Sequence, residues 1–183
     1  MPTPHITLGE AAEQYLAQRK ANCAPSTASN DASVVRRFVK HVGNIQVRHL
    51  APKHVDAWFF GEKGITPTVK EPSSFNNYRK RINTFMGYCA KRGWLRTDPM
   101  VNVRVRKEFR RERLHLTARE MLGLLDLAES PRDRAYLAIN VNTALRASEI
   151  TGLRVGDVDL DQGELHVTIV KTAEEDSMPI TED

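Results

Sequence analysis

Two stretches of the sequence combine a stripe of cations and amides with an apolar stripe on the opposite side. Each stripe has the three- and four-residue spacing that brings side chains to one face of an α-helix. The polar members are Ser33, Arg36, Arg37 and Lys40 in the first stretch and Asn77, Lys80, Arg81 and Thr84 in the second. Lysine and arginine bind phosphates, while asparagine and arginine can reach base edges. Together the two stripes favour helices docked on DNA over the alternative, an ordinary solvated face of a helical bundle.

The charge of the chain is distributed unevenly along its length. Residues 1–113 contain 21 Lys and Arg against 9 Asp and Glu, a net charge of +12, whereas residues 114–183 contain 6 against 14, a net charge of −8. So basic a segment is suited to a polyanionic partner. Nucleic acid is the leading candidate, because neutralising its phosphates releases counterions and drives binding. A merely solvated basic surface is the alternative.

Several other classes of protein are excluded by the sequence. No stretch approaches the roughly 20 apolar residues of a membrane span, and the first ten residues do not have the pattern of a secretory signal. Cys23 and Cys89 lack the spacing of a metal or disulfide framework. No Ser/His/Asp set or glycine-rich phosphate loop is found. We therefore expect a cytoplasmic protein with no metal site, cofactor, small-molecule substrate or membrane partner.

The apolar periodicity predicts an N-terminal module of four helices over residues 1–94. The predicted helices run from about Thr7 to Lys20, Ser26 to Val42, Pro52 to Phe60 and Ser73 to Gly93. Residues 95–113 are predicted to be a basic interdomain linker, which could lie along a DNA backbone or act as a flexible tether. Its cations are Arg104, Arg106, Lys107, Arg110, Arg111 and Arg113.

A second module is predicted over residues 114–183. Thr117 and Glu120 have the spacing of a capping box, which starts a helix reaching about Glu129. Another helix is expected from about Arg132 to Asn142. The β-branched run over residues 164–171 predicts a strand, and residues 177–180 a short return strand, which places Lys171 at the tip of a hairpin.

The most informative stretch, residues 143–153, reads Thr-Ala-Leu-Arg-Ala-Ser-Glu-Ile-Thr-Gly-Leu. With the Asp-Val-Asp segment at 157–159 and the hairpin lysine, it resembles the catalytic domain of tyrosine recombinases and phage integrases. The preceding helices resemble that family's core-binding domain, so the resemblance covers almost the whole chain. It implies a mainly α fold, in which a four-helix, SAM-like bundle precedes an incomplete α+β catalytic domain with a small antiparallel hairpin or sheet.

The resemblance also implies roles for individual residues. Arg146 matches the family's arginine that clamps the scissile phosphate, and Lys171 matches its general acid. Glu149, one turn after Arg146, is expected to orient it. Arg154 repeats the opening of the motif but is followed by Val-Gly-Asp rather than x-Ser-Glu, so we set it aside. The implied partners are double-stranded DNA and other recombinase protomers on it, with no metal or nucleotide cofactor.

The sequence departs from the family pattern after the hairpin. The expected His-x-x-Arg motif and nucleophilic tyrosine are not found, since the tyrosines are at 15, 78, 88 and 136. Two functions stay open: a fragment of a site-specific recombinase that lacks its catalytic end, or a non-catalytic DNA-binding product or inactive remnant. Thr-Glu-Asp at 181–183 resembles the first turn of a helix, which favours the expectation of a truncated chain.

The charge asymmetry generates a prediction about binding. Residues 1–113 are expected to bind duplex DNA, with an affinity that falls steeply as salt rises, because the contacts are to phosphates. Mobility shifts across a salt series measure this. A shift that is absent at low salt, or that does not respond to salt, would contradict the prediction.

Overall fold

A computed structural model of the protein describes residues 5–109, 114–169 and 174–180. The chain divides into two units, residues 1–110 and residues 111–183. The predicted fold class is confirmed, because helices dominate the described residues and a small antiparallel sheet follows them.

Residues 5–109 of the first unit contain four α-helices, whose starts follow from local sequence. They are α1 (Leu8–Asn22), α2 (Pro25–Val42), α3 (Pro52–Phe60) and α4 (Pro72–Lys91), with a 3-10 turn at Val47–His49. Thr7 and Glu10 form a capping box at the start of α1, as each side chain bonds the backbone N–H of the other residue. Proline occupies the first position of α2, α3 and α4, where its missing N–H costs no hydrogen bond.

Helix α2 is central in the first unit and packs against α1, α3 and α4. The core is rich in aromatic side chains, and Phe38, Phe59, Phe75 and Phe85 are fully buried. Trp58 meets the rings of Phe38 and Phe59 edge to face at 5.3 and 4.8 Å between centroids. Burying each such side chain stabilises the fold by about 1.5–3 kcal/mol. This core holds α2 and α4 together, and these helices carry the two predicted polar stripes.

Part of the segment predicted to be an interdomain linker packs against the helices of the first unit. Met100 and Val103 are buried in the core of the first unit. Farther along, the Asn76 side chain accepts from the N–H of Arg106 and donates to its carbonyl oxygen, both at 2.8 Å. The first part of the predicted linker is therefore packed onto the helices. Sequence periodicity did not reveal this, because residues 95–109 form neither helix nor strand.

The second unit contains three helices and a small sheet among its described residues. The elements are α5 (Ala118–Asp126), α6 (Pro131–Thr143), α7 (Ala147–Ile150), β1 (Val158–Asp159), β2 (Glu164–Ile169) and β3 (Glu174–Pro179). The strands pair in the antiparallel order β1-β2-β3, with Leu165 opposite both Val158 and Met178. The sequence did not predict α7, which is a single turn, and β3 begins three residues earlier than expected.

The core of the second unit is much smaller than that of the first. Leu145, Ile150, Leu165 and Val167 are its buried members among the described residues. Several large apolar side chains lie exposed instead: Leu116, Leu122, Leu124, Leu127, Val155 and Leu160. Since apolar burial is the main source of stability, this unit has less of it.

The difference between the cores predicts unequal stability. We expect amide hydrogen exchange to be faster in residues 114–183 than in α1–α4, because fewer buried contacts oppose local opening. We also expect concentration-dependent self-association through the exposed leucines. Segment-resolved exchange and sedimentation measure these two properties. Equal protection in the two units of a strictly monomeric protein would overturn the prediction.

Candidate DNA interface and phosphate-binding arginine

Arg146 lies at the junction between α6 and α7, where it is the N-cap residue of α7. Its backbone N–H and its guanidinium both donate hydrogen bonds to Glu149. The Glu149 carboxylate accepts from the backbone N–H of Arg146 at 2.8 Å and from its Nη1 at 2.9 Å. The Glu149 side chain is only 2% exposed, whereas that of Arg146 is 62% exposed. Glu149 therefore holds one nitrogen of the Arg146 guanidinium in place, while most of that side chain stays accessible to a ligand.

The backbone turn before Arg146 is supported by its own hydrogen bonds. Ala144 adopts a left-handed conformation, with φ 53° and ψ 22°, and ends α6. The Thr143 hydroxyl donates to the carbonyl of Ile139 at 2.5 Å and accepts from the N–H of Leu145 at 3.3 Å. The Asn140 amide donates to the carbonyl of Leu145 at 3.0 Å. Thr143 and Asn140 thus stabilise a turn that alanine rarely adopts.

Sequence reasoning did not assign a role to either of these two supporting residues. Thr143 is the first residue of the motif, to which the family resemblance assigns no function, and Asn140 lies before the motif. The spacing of Thr143 to Arg146 carried a signal, because a threonine beside a helix end commonly bonds the local backbone. Asn140 offered no comparable signal, since asparagine is common on helix surfaces.

Arg154, which the sequence analysis set aside, provides an internal comparison. Like Arg146 it is an N-cap residue, and the Asp157 carboxylate accepts its backbone N–H at 2.7 Å. Among the described residues, however, no carboxylate contacts the Arg154 guanidinium. The two arginines therefore differ in whether an acid fixes the side chain.

Lys171, the predicted general acid, lies outside the described residues. The strands that flank it pair in register from Glu164 opposite Pro179 to Ile169 opposite Glu174. Strands β2 and β3 are thus paired, as the predicted hairpin requires. The role of Lys171 stays a prediction.

The polar stripe of α2 lies on the surface, as expected. Ser33, Arg36, Arg37 and Lys40 are all exposed. Arg36 lies 3.5 Å from the carboxylate of Glu13, and both side chains are about two-thirds exposed. The Arg37 guanidinium donates to the Tyr78 hydroxyl at 2.8 Å and lies 5.5 Å from the centre of its ring. Arg37 is therefore anchored on α4, while the other cations are held loosely.

The polar stripe of α4 lines a cavity of about 270 Å³. Asn77, Lys80 and Thr84 are exposed, but Arg81 is half-buried and bound to the carboxylate of Asp31. The Thr84 hydroxyl donates to the carbonyl of Lys80 within its own helix. Arg81 is therefore not a free surface cation of the kind that the stripe predicts.

The remaining wall of the cavity contains residues that sequence reasoning missed, namely Arg19, Thr27 and Asp31. Arg19 Nε donates to the second oxygen of Asp31 at 2.7 Å. This hydrogen bond raises the pKa of Arg19 above its ordinary value, so the guanidinium stays charged. A signal for Asp31 was present, since it falls three and four residues before Val34 and Val35 on the apolar stripe of α2.

Of the six cations in the predicted linker, Arg110, Arg111 and Arg113 lie outside the described residues. The other three, Arg104, Arg106 and Lys107, are not equivalent. Arg104 and Lys107 are exposed, and the Nζ atom of Lys107 lies 5.4 Å from the ring centre of Phe109. Arg106 instead lies 3.6 Å above the ring centre of Phe75 and donates to the Thr66 hydroxyl at 3.4 Å. A cation packed on an aromatic face in this way stabilises the fold. Arg104 and Lys107 are the better candidates for contact with DNA.

Two further kinds of site were searched for within the described ranges. No group of three or more His, Cys, Asp and Glu side chains is placed to hold a metal ion there. No helix in those ranges is both long and apolar enough to cross a membrane.

The environment of Glu149 generates a prediction about its titration. The hydrogen bond from the backbone N–H of Arg146, followed by that from its guanidinium, holds the pKa of Glu149 below its ordinary value of 4.5. The ionised carboxylate therefore stabilises the fold above the ordinary pKa, and this contribution is lost as the pH falls through the lowered pKa. NMR titration of the side-chain carboxyl carbon is expected to give a midpoint below 4.5.

A variant separates the two hydrogen bonds that lower the pKa of Glu149. Arg146→Ala removes the guanidinium but keeps the backbone N–H, which is the larger cause. The midpoint should rise only in part and stay below the ordinary value. A midpoint at or above that value in the unsubstituted protein would contradict the geometry described for this pair.

Comparison with known proteins identifies relatives of both units. Residues 115–183 match the model of the phage integrase family. The tyrosine recombinase XerC of Proteus mirabilis is 30% identical over 114 residues, which are 60% of this chain and 37% of that protein. The chain thus spans less than two-fifths of the length of this relative.

Solved structures show the same fold. A lambda integrase (residues 75–356) dimer bound to a COC′ core site superposes with a TM-score of 0.74 and 21% identity, over 95% of this chain and 60% of that chain. The Tn1549 transposon integrase in complex with a circular intermediate DNA gives a TM-score of 0.71 and 14% identity, over 97% and 62%. Residues 115–183 are thus similar to the phage integrase family, and the chain shares the fold of the solved integrases.

Proposed function

We propose that this chain is the DNA-binding and phosphate-clamping portion of a site-specific recombinase. The observation that carries the proposal is the exposed guanidinium of Arg146, whose Nη1 atom donates to the buried carboxylate of Glu149. A guanidinium group never loses its charge at ordinary pH and offers paired donors to the non-bridging oxygens of a phosphate. Fixing it before DNA arrives lowers the entropy cost of holding that phosphate.

The first unit binds the duplex in this proposal. Its net positive charge supplies the attraction, and exposed cations on α2 and α4 supply the contacts. The lambda integrase of similar fold is bound to a core site, and in another structure it forms a tetramer on a Holliday junction. By analogy, other protomers on the same DNA are proposed partners of this chain. The relatives are bacterial recombinases, so we place its action on DNA in the bacterial cytoplasm.

Arg146 and Lys171 have complementary roles in the proposed chemistry. Arg146 holds the negative charge that develops on the scissile phosphate, and Glu149 holds its guanidinium in place before that charge develops. Lys171 donates a proton to the 5′ oxygen, which departs as the tyrosine nucleophile of a C-terminally extended form bonds to phosphorus. Glu149 acts through Arg146 and does not touch the DNA, so it is a positioning residue.

A second candidate function, DNA binding without cleavage, is favoured by the surroundings of the tyrosines. Tyr15 is buried, and burial raises its pKa to about 12. The Tyr78 hydroxyl accepts from Arg37, Tyr88 packs on Tyr15 and Trp94, and Tyr136 packs on the core of the second unit. A nucleophile must reach phosphorus. The 183-residue polypeptide is therefore expected to bind DNA without forming a phosphotyrosine.

Matched substitutions test the proposed role of Arg146. Arg146→Ala is expected to weaken duplex binding about tenfold by removing a charge-assisted phosphate contact. Arg154→Ala removes the same charge from the same unit and serves as the control, with a change of about twofold or less. Fluorescence anisotropy at fixed salt measures both affinities. Equal losses in the two variants would mean that Arg146 contributes only general charge.

Denaturing gels distinguish the two candidate functions. The polypeptide is expected to give no denaturant-resistant band with a nicked DNA substrate, and such a band that vanished on replacing one of its tyrosines would overturn this. A form extended with a C-terminal segment from the family is expected to gain the band, and to lose it on Arg146→Ala or Lys171→Ala. Activity that survived Arg146→Ala would refute the proposed clamp.

A further inference from the structure

Asp31 is a buried carboxylate at the junction of α1, α2 and α4, only 3% exposed. Its two oxygens accept from different arginines, one from Arg19 on α1 and the other from Arg81 on α4. A buried carboxylate is tolerated only when it is paired and hydrogen-bonded. Asp31 therefore holds together two guanidinium groups that lie 62 residues apart in sequence, and it fixes both at one wall of the cavity.

The two arginines retain unused hydrogen-bonding capacity. Each guanidinium has five N–H donors. Within the described residues, Arg19 uses only Nε and Arg81 only Nη1 in side-chain hydrogen bonds. Their side chains remain about one-quarter exposed, so solvent or a ligand can reach them. Two cations shared by one anion leave a net positive charge, to which the exposed Lys80 adds another.

The cavity beside these arginines has the size and lining of an anion site. Its volume is 270 Å³, and the hydroxyl-bearing residues Thr27 and Thr84 lie on its lining with Asn77. This space is several times the ~30 Å³ that a water molecule occupies in the liquid, so it admits a phosphate group with some hydration. Apart from Asp31, whose oxygens are already engaged, no acidic residue among those that the structure describes lines it.

We propose that this cavity seats one phosphate of a bound DNA duplex, with Arg19 and Arg81 as its donors and Asp31 as the residue that positions them. The proposal deepens the proposed function, because it rests on duplex binding by the first unit. It adds a residue of α1 to a surface that the sequence pattern confines to α2 and α4. It also gives the buried acid a role in binding an anion.

The sign of one substitution separates this proposal from simple electrostatics. Asp31→Asn raises the net charge by one unit, so general attraction predicts tighter DNA binding. The proposal predicts binding about fivefold weaker at constant salt, because the two guanidinium groups lose their shared anchor. Glu62→Gln is the control, since it makes the same change of charge in an exposed loop and should leave binding unchanged or slightly tighter. Tighter binding by a folded Asp31→Asn variant would overturn the proposal.

A second pair of variants keeps the proposal testable if Asp31→Asn unfolds, which circular dichroism would reveal. Arg19→Met leaves Asp31 paired with Arg81, and the adjacent Lys20→Met loses the same charge from an exposed position that does not line this cavity. Arg19→Met is expected to lower the slope of log affinity against log salt by about 0.9, the value of one phosphate contact. Lys20→Met should change it by less than half as much. Equal slopes for the two variants would refute the proposed phosphate site.

Inorganic phosphate distinguishes the two sources of the ligand. At constant ionic strength, replacing chloride with millimolar phosphate should leave DNA binding by the unsubstituted chain unchanged, because a duplex brings its phosphate with many other contacts. Inhibition that saturates at millimolar phosphate and disappears in Arg19→Met would show a site for free phosphate and overturn the assignment to DNA. If the unsubstituted chain binds no duplex at all, the proposed function fails together with this inference. If it binds but Arg19→Met behaves like Lys20→Met, this inference alone fails.

Discussion

The pairing of a buried carboxylate with arginine occurs in both units, and the geometry of each candidate binding surface depends on it. Asp31 and Glu149 are the buried charged residues among those that the structure describes. Asp31 binds two guanidinium groups, and Glu149 binds one guanidinium together with the backbone of the same residue. Since an unpaired buried charge is strongly destabilising, each acid requires its arginine. The arginine in turn has little freedom to leave its position.

This pairing divides the cations of the chain into two groups with different physical effects. Arg36, Lys40, Arg104 and Lys107 lie exposed. The one ion pair among them, between Arg36 and Glu13, contributes about 0–1 kcal/mol because both side chains face water. Such residues attract a polyanion at long range and adapt to its shape. Arg146 and the arginines beside Asp31 are held in place, so they are suited to fix the position of a particular phosphate.

The sequence predicted local features well because each depends on neighbouring residues. The capping box of Thr117 and Glu120 at the start of α5 forms as expected. The apolar stripes of α2 and α4 are buried as their helical spacing predicts, at Phe38, Phe75, Ile82 and Phe85. The features it missed depend on partners far along the chain. Arg81 pairs with Asp31 across 50 residues, and Arg106 pairs with Asn76 across 30. Periodicity cannot distinguish a stripe of exposed arginines from one in which an arginine binds a buried acid, because the spacing of the residues is the same in both.

The left-handed conformation of Ala144 limits which residues can occupy the turn before Arg146. An L-residue with a side chain costs about 1–2 kcal/mol in this region, while glycine adopts it freely. Glycine would also increase the conformational entropy of the unfolded chain, and this destabilising effect opposes the relief of backbone strain. Alanine, glycine and asparagine could therefore replace one another here with small net effect as the protein diverges. A valine or isoleucine would force the backbone out of the turn and redirect the guanidinium, although position 144 never touches the ligand.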